Sequence, residues 1–169
     1  MQKDIIKARK SGDTDDPVDV YVYDPIAIRL AHLFIKLHIS ANAVSCLSVG
    51  FGVLGAVLLY PQNKLINLAG MFCIVFAAVL DCCDGQVARL THTGTQLGRI
   101  IDGVVDSVNF AAIYLSLGFR MMQEIIPFTN TRWGLYAFIP VVVTGLCHAG
   151  ESRMADYVRG LHLYFLGKK

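Results

Sequence analysis

Between Ala41 and Tyr60 the chain runs for twenty residues without a charged side chain, and this property decides most of what it can fold into. At 1.5 Å per residue such a run covers about 30 Å, the thickness of a bilayer's hydrocarbon core. Hydrocarbon offers backbone groups no partners, so the run has to be a helix. Three further stretches read the same way: residues 65 to 90, about Thr95 to Phe119, and about Trp133 to Ala149, with Trp133 placed as an interfacial anchor. Ser40 or Asn42 suits the cap of the first span, and Gly50, Gly52 and Gly55 within it suit close helix packing. The predicted fold class is all-α, a polytopic transmembrane helix bundle with four spans. Composition agrees, since 54% of the 169 residues are apolar and only 17% charged.

The remainder of the chain fits around those spans. Residues 1–24 open with a basic run, turn acidic around Pro17, and read as a solvent-side tail; residues 25–169 form one membrane domain. From Pro25 to His38, Ile26, Leu30, Leu33, Phe34 and Leu37 make an apolar stripe opposite Arg29, His32 and Lys36. That segment is too short and too charged to span, and reads as an amphipathic helix on the membrane surface. The first 25 residues are too polar for a cleavable signal peptide, so targeting is expected from the first span. The net charge of +2 is too small to argue for nucleic acid. Five cysteines, Cys46, Cys73, Cys82, Cys83 and Cys147, lie in apolar segments without zinc spacing and read as small buried thiols.

With four spans, the N-terminal tail, the turn at 90–95 and the C-terminal segment share one side of the membrane. That side carries twelve Lys and Arg residues and the opposite loops only Lys64, Arg120 and Arg132, so it is expected to be cytoplasmic.

One stretch breaks the apolar pattern. Asp81 to Asp106, DCCDGQVARLTHTGTQLGRIIDGVVD, carries four carboxylates at the ends of two adjacent spans. Asp81, Asp84 and Ala88 fall on one helix face, and Gly98, Asp102 and Asp106 on another, because residues three or four apart stack along a helix. Joined by the polar turn LTHTGTQ, two such helices could aim all four acids at one point. Ionisable groups at membrane depth are functional by default. Clustered carboxylates repel in a low dielectric and are hard ligands, so a divalent cation is implied. Gly85 and Ala88 leave room for a ligand, Gly98 suits close packing of two helices, and Arg89 adds a fork suited to phosphate oxygens. Metal, Arg and spare carboxylate together point to chemistry on a phosphoryl group.

The run reads DxxDGxxAR, eight residues, then GxxxDxxxD, and it resembles the signature of the CDP-alcohol phosphotransferases, or CDP-alcohol phosphatidyltransferases, integral membrane enzymes of phospholipid synthesis. Asp81, Asp84, Gly85, Ala88, Arg89, Gly98, Asp102 and Asp106 meet its eight fixed positions. A looser likeness runs from about Asp24 to Arg120, where SANAVS at 40–45 is similar to the family's TPNxVT with Ala41 in place of Pro. The resemblance implies displacement at the β-phosphorus of a CDP-alcohol, usually CDP-diacylglycerol, by an acceptor hydroxyl, with release of CMP. It implies two cations, Mg²⁺ or Mn²⁺, with Asp81, Asp84 and Asp102 as principal ligands and Asp106 as general base and further ligand. It also implies that Gly85 and Ala88 flank the cytidine, that Arg89 holds phosphate oxygens, and that Gly98 belongs to the substrate-binding set. Homodimers through membrane helices are common in the family, and the acceptor alcohol stays open, although the ending MADYVRGLHLYFLGKK resembles bacterial relatives linked to inositol lipids.

Family members have about six spans, so the chain is expected to be truncated after Lys169, with Gly150 to Lys169 as a linker to a further span. Arg153 stands where a phosphorylated acceptor would want a cation, but topology alone calls for a basic residue there; Arg159, Lys168 and Lys169 read as interfacial. His92 and His148 read as polar interface residues, and Asn109 and Ser116 as groups that bond across helices. Two other classes could use an acid cluster, an ion-handling protein and a catalytically silent membrane subunit. The first predicts acids spread through the bilayer depth, whereas these sit at one end of two spans; metal-dependent CMP release excludes both. Pairing with Arg89 and Arg99 alone would leave four acids against two bases.

Overall fold

A computed structural model describes residues 19–126 and 131–166, with the side chains of residues 19, 20, 99, 156 and 163 set aside. Most of the expected tail, Lys168 and Lys169 lie outside the described residues, as does the Arg99 side chain. A short π-helical turn, Asp19–Tyr23, leads into α1 (Asp24–Lys36), followed by α2 (Ala41–Leu59), α3 (Lys64–Leu90) and α4 (Gln96–Met121). A 3-10 turn, Gly134–Ala137, precedes α5 (Phe138–Phe165). Among the described residues the only β pairing is an isolated bridge between Ile125 and Arg132. Four segments are long and apolar enough to cross a membrane: Ala41–Leu59, Lys64–Leu90, Gln96–Met121 and Gly134–His162. Their bulky side chains point outward, Phe72 being 68% and Leu146 69% exposed, a surface for acyl chains rather than water. The protein is an integral membrane protein.

Contacts divide the chain into Met1–Ser116 and Leu117–Lys169. In the first unit, Ser40 caps α2 by accepting from Ala43 N at 3.3 Å, and Asn63 caps α3 by accepting from Leu65 N at 3.0 Å. The turn between them is short, so α2 and α3 pack antiparallel. Their backbones meet at Gly55 and Gly70: a Cβ on Gly70 would lie 2.9 Å from Gly55 O, and one on Gly55 2.8 Å from Gly70 O. Farther along, Phe51 meets Phe76 edge to face at 4.9 Å, and Ser48, fully buried, donates to Ala77 O at 3.0 Å. From α4, Ser116 donates to Ala56 O at 2.5 Å, bonding across helices as expected. Asn109 instead fills the notch left by Gly52, where a Cβ would sit 2.2 Å from its Oδ1. Gly50 has nothing near it and takes no part in packing, so two of the three glycines serve close approach.

The core of this unit joins α1, α2 and α3 through Ala27, Ala31, Val44, Leu80, Cys83 and Val87. Here α1 departs from its expected apolar stripe. The protein-facing side is Ala27, Ile28 and Ala31, while Ile26, Leu33 and Leu37 are exposed. Small residues allow α1 to approach α3 closely; Leu30 and Phe34 of the stripe pack against this core, and Ile26, Leu33 and Leu37 are left for lipid. Arg29, His32 and Lys36 are exposed on a third side, so the helix has protein, lipid and water faces in turn. Asp24, on the protein side, accepts a 2.9 Å hydrogen bond from Gln86 Nε2 of α3. Of the five cysteines only Cys83 is buried; Cys46 and Cys147 are exposed on the apolar helix surfaces.

In the second unit, Trp133 N donates to Glu124 O at 3.1 Å and Gly134, at φ +50°, donates to Met122 O at 3.2 Å, closing the loop before α5. Phe119 packs edge to face on Phe138 at 5.3 Å. The segment after Gly150, read from sequence as a linker, continues α5 without a break to Phe165. Gly150 and Gly160 each weaken a helix by only about 1 kcal/mol relative to Ala, too little to stop one rich in Leu, Met, Arg and Ala.

The contact at Gly70 is testable against the open surface at Gly50. Gly70→Ala is expected to lower unfolding free energy by about 1–3 kcal/mol, as overpacking does. Gly50→Ala should leave it unchanged or slightly raised, both read by thermal unfolding in detergent.

Candidate active site

The two acid-bearing helices meet through five residues. At the end of α3, Thr93 N reaches back to Ala88 O at 3.0 Å while His92 adopts φ +55°, a left-handed closure that turns the chain sharply. Thr91 donates its hydroxyl to Val87 O at 2.7 Å. At the start of α4, Thr95 Oγ1 accepts from Gly98 N at 2.9 Å, an N-cap interaction that starts the return helix.

This closure brings Asp81 and Asp84 of α3 to Asp102 of α4, with one carboxylate oxygen of each lying within 4.8 Å of the others. Asp84 is 4% exposed; Asp81 and Asp102 are half-buried. At an effective dielectric of about 20, two charges at that separation repel by about 3 kcal/mol. Three hard carboxylate donors this close make a set that fits Mg²⁺, Mn²⁺ or Ca²⁺ and is poorly suited to soft metals. Asp106 does not join this triplet: it lies one turn farther along α4 and is exposed, although its charge acts on Asp84. The structure gathers Asp81, Asp84 and Asp102 into one triplet, with Asp106 one turn farther along α4.

Beside the acids is a cavity of about 520 Å³, within the range of small-molecule sites. Asp84 and Asp102 face it, and so do all four residues expected to contact substrate, Gly85, Ala88, Arg89 and Gly98. The glycines owe their place to the cavity rather than to helix packing. A Cβ on Gly85 would make only ordinary contact, 3.5 Å from the Arg89 guanidinium, and one on Gly98 would meet only the Thr95 hydroxyl at 3.3 Å. The expected close helix approach at Gly98 is thus not found: the one near neighbour of such a Cβ is the Thr95 hydroxyl of its own N-cap.

Several lining residues escaped sequence reasoning. Thr91, Thr93 and Thr95 come from the connecting loop, and His38, Ser40, Asn42 and Ser45 from the start of α2. Ser45 donates its hydroxyl to Asp84 Oδ2. The SANAVS segment was a usable signal, since its likeness to TPNxVT already tied it to the signature, but sequence gave no reason to place its last hydroxyl on a carboxylate. His92 is exposed in the loop, and Arg153 is exposed on α5 in the second unit.

An all-α membrane protein with clustered carboxylates and an arginine around one cavity is the class that fold and site define. The family model for CDP-alcohol phosphatidyltransferase matches residues 38–155, well over half of the chain, and the chain belongs to that family. Family members are divalent-metal-dependent enzymes that act on CDP-alcohols and acceptor alcohols in phospholipid synthesis. The chain is 36% identical over 88 residues to a phosphatidylinositol phosphate synthase of Corynebacterium glutamicum, covering 50% of this chain and 38% of that protein. It is 28% identical over 92 residues to one of Mycobacterium tuberculosis, covering 54% and 42%. A bifunctional IPC transferase and DIPP synthase of Rubrobacter xylanophilus is 23% identical over 175 aligned positions, covering 95% of this chain and 39% of that protein. The chain thus covers less than half the length of these relatives.

Because a side chain at Gly98 would meet only the Thr95 hydroxyl and no other helix, Gly98→Val is expected to lower the melting temperature in detergent by no more than a few degrees. CDP with Mn²⁺ is expected to raise the melting temperature of the parent protein, and Gly98→Val is expected to lose that rise.

Proposed function

We propose that this protein transfers the phosphatidyl group of CDP-diacylglycerol to the hydroxyl of an acceptor alcohol, with release of CMP. The observation that carries this reading is the convergence of Asp81, Asp84 and Asp102 beside a cavity that also holds Arg89. Asp81, Asp84 and Asp102 would hold Mg²⁺ or Mn²⁺, two ions in the reading made from sequence, and bound metal would offset the diphosphate charge and polarise the phosphorus.

The chain's own residues supply the rest. Arg89 holds phosphate oxygens through its planar fork, Gly85 and Ala88 admit the cytidine edge, and Gly98 leaves room beside it. Asp106 accepts the acceptor's hydroxyl proton as the new oxygen–phosphorus bond forms and the bond to CMP breaks.

For the acceptor we propose an inositol phosphate. The names of the Corynebacterium and Mycobacterium relatives support it, each being a phosphatidylinositol phosphate synthase. The excess of Lys and Arg on the side of the 90–95 turn supports a site open to the cytoplasm.

Detergent-solubilised protein incubated with CDP-diacylglycerol, Mn²⁺ and a panel of acceptors is expected to yield phosphatidylinositol phosphate, identified by mass spectrometry, and a chelator should stop the reaction. Failure to release CMP with any acceptor would overturn the reading. Asp106→Asn is expected to retain CDP binding in the presence of Mn²⁺ while CMP release falls by about 100-fold or more, the scale of a lost general base.

A further inference from the structure

We infer that Ser45 is a positioning residue for Asp84, holding that carboxylate in the orientation from which it ligates metal; the inference rests on the metal-binding reading of the acid cluster. Ser45 lies on α2 and Asp84 on α3, 39 residues apart, and both are buried, at 5% and 4% exposure. The Ser45 hydroxyl has one proton and two acceptors within reach, Asp84 Oδ2 and its own helix's Ala41 O at 3.2 Å. A carboxylate is the stronger acceptor, because a hydrogen bond to a charged group is about twice as strong as one between neutral groups. The proton therefore goes to Asp84, and the carbonyl of Ala41 keeps only a secondary contact.

The consequence is geometric. A carboxylate on a two-torsion side chain can swing, and each orientation presents different lone pairs to the gap shared with Asp81 and Asp102. A donor fixed on a neighbouring helix selects one orientation and leaves the remaining lone pairs for a cation. Ser48, one turn along the same face of α2, donates to a backbone carbonyl, Ala77 O, and so fastens the same two helices without touching an acid. The pair separates positioning from packing: Ser45 serves the carboxylate, and Ser48 serves only the seam.

Mn²⁺ binding to the detergent-solubilised chain, read from the free-Mn²⁺ electron paramagnetic resonance signal, tests this without turnover. Ser45→Ala is expected to raise the Mn²⁺ dissociation constant by about 10-fold or more, the usual effect of losing a partner behind a metal ligand. Ser45→Thr should restore affinity to within about 3-fold of the parent, whereas Ser45→Val, of the same shape but without the hydroxyl, should not; about 10-fold is again the expected loss. Ser48→Ala should leave the dissociation constant unchanged while lowering the melting temperature. Parent-like Mn²⁺ affinity in both Ser45→Ala and Ser45→Val, or equal weakening by Ser48→Ala, would overturn the role of Ser45 and leave the metal reading standing. Absence of saturable Mn²⁺ binding by the parent protein would overturn both.

Discussion

The approach of α2 and α3 at Gly55 and Gly70 sets the spacing on which the acidic end of the hairpin depends. With carbonyl oxygens pressed against the opposing α-carbons, the helices stay close enough for hydroxyl groups farther along to bridge them. Ser48 reaches Ala77 O and Ser45 reaches Asp84, two fastenings in register toward the end where the carboxylates gather. In hydrocarbon there is no hydrophobic drive to bring helices together, so such contacts and van der Waals packing between small residues carry the association. A bulkier residue at the crossing would act at a distance, by moving the hydroxyls off their partners.

The acids themselves work against their surroundings. Asp81 and Asp84 lie about two turns or more before the end of α3, too far in for the helix terminus to decide their energy; what opposes them is burial and their nearness to each other and to Asp102. Three carboxylates held this close inside an apolar bundle are a conflict, and such conflicts collect at functional sites. A divalent cation among the three acids would remove their mutual repulsion.

Much of this was legible in the residue order because the governing signals are local. Uninterrupted apolar runs gave the spans, and the signature spacing placed Asp81, Asp84 and Asp102 on facing helices. The failures share a physical origin. In a membrane, hydrophobic periodicity reports where water is, not where protein is, so the bulky stripe on α1 is divided, Leu30 and Phe34 on the core and Ile26, Leu33 and Leu37 outward, with Ala27 and Ala31 at the centre of the packed face. For Gly98 the residue type was informative but its reason was not, because a missing side chain serves a tight crossing and an open cavity equally well. Convergence of the acids depends on the turn at His92, and one helical turn is enough to leave Asp106 outside the triplet. The Ser45 contact spans 39 residues and two helices, a register that no local pattern encodes.

The hydrogen bond from Gln86 to Asp24 ties the helix that bears the acids to one that presents separate faces to lipid and to water. A helix with those two faces can rest only at the boundary between them, which gives α1 a fixed level in the bilayer. Through Gln86 that level is passed to α3, two residues from Asp84. In the proposed reaction this linkage would hold the carboxylates at a set depth, at which a lipid donor could bring its diphosphate by sliding sideways.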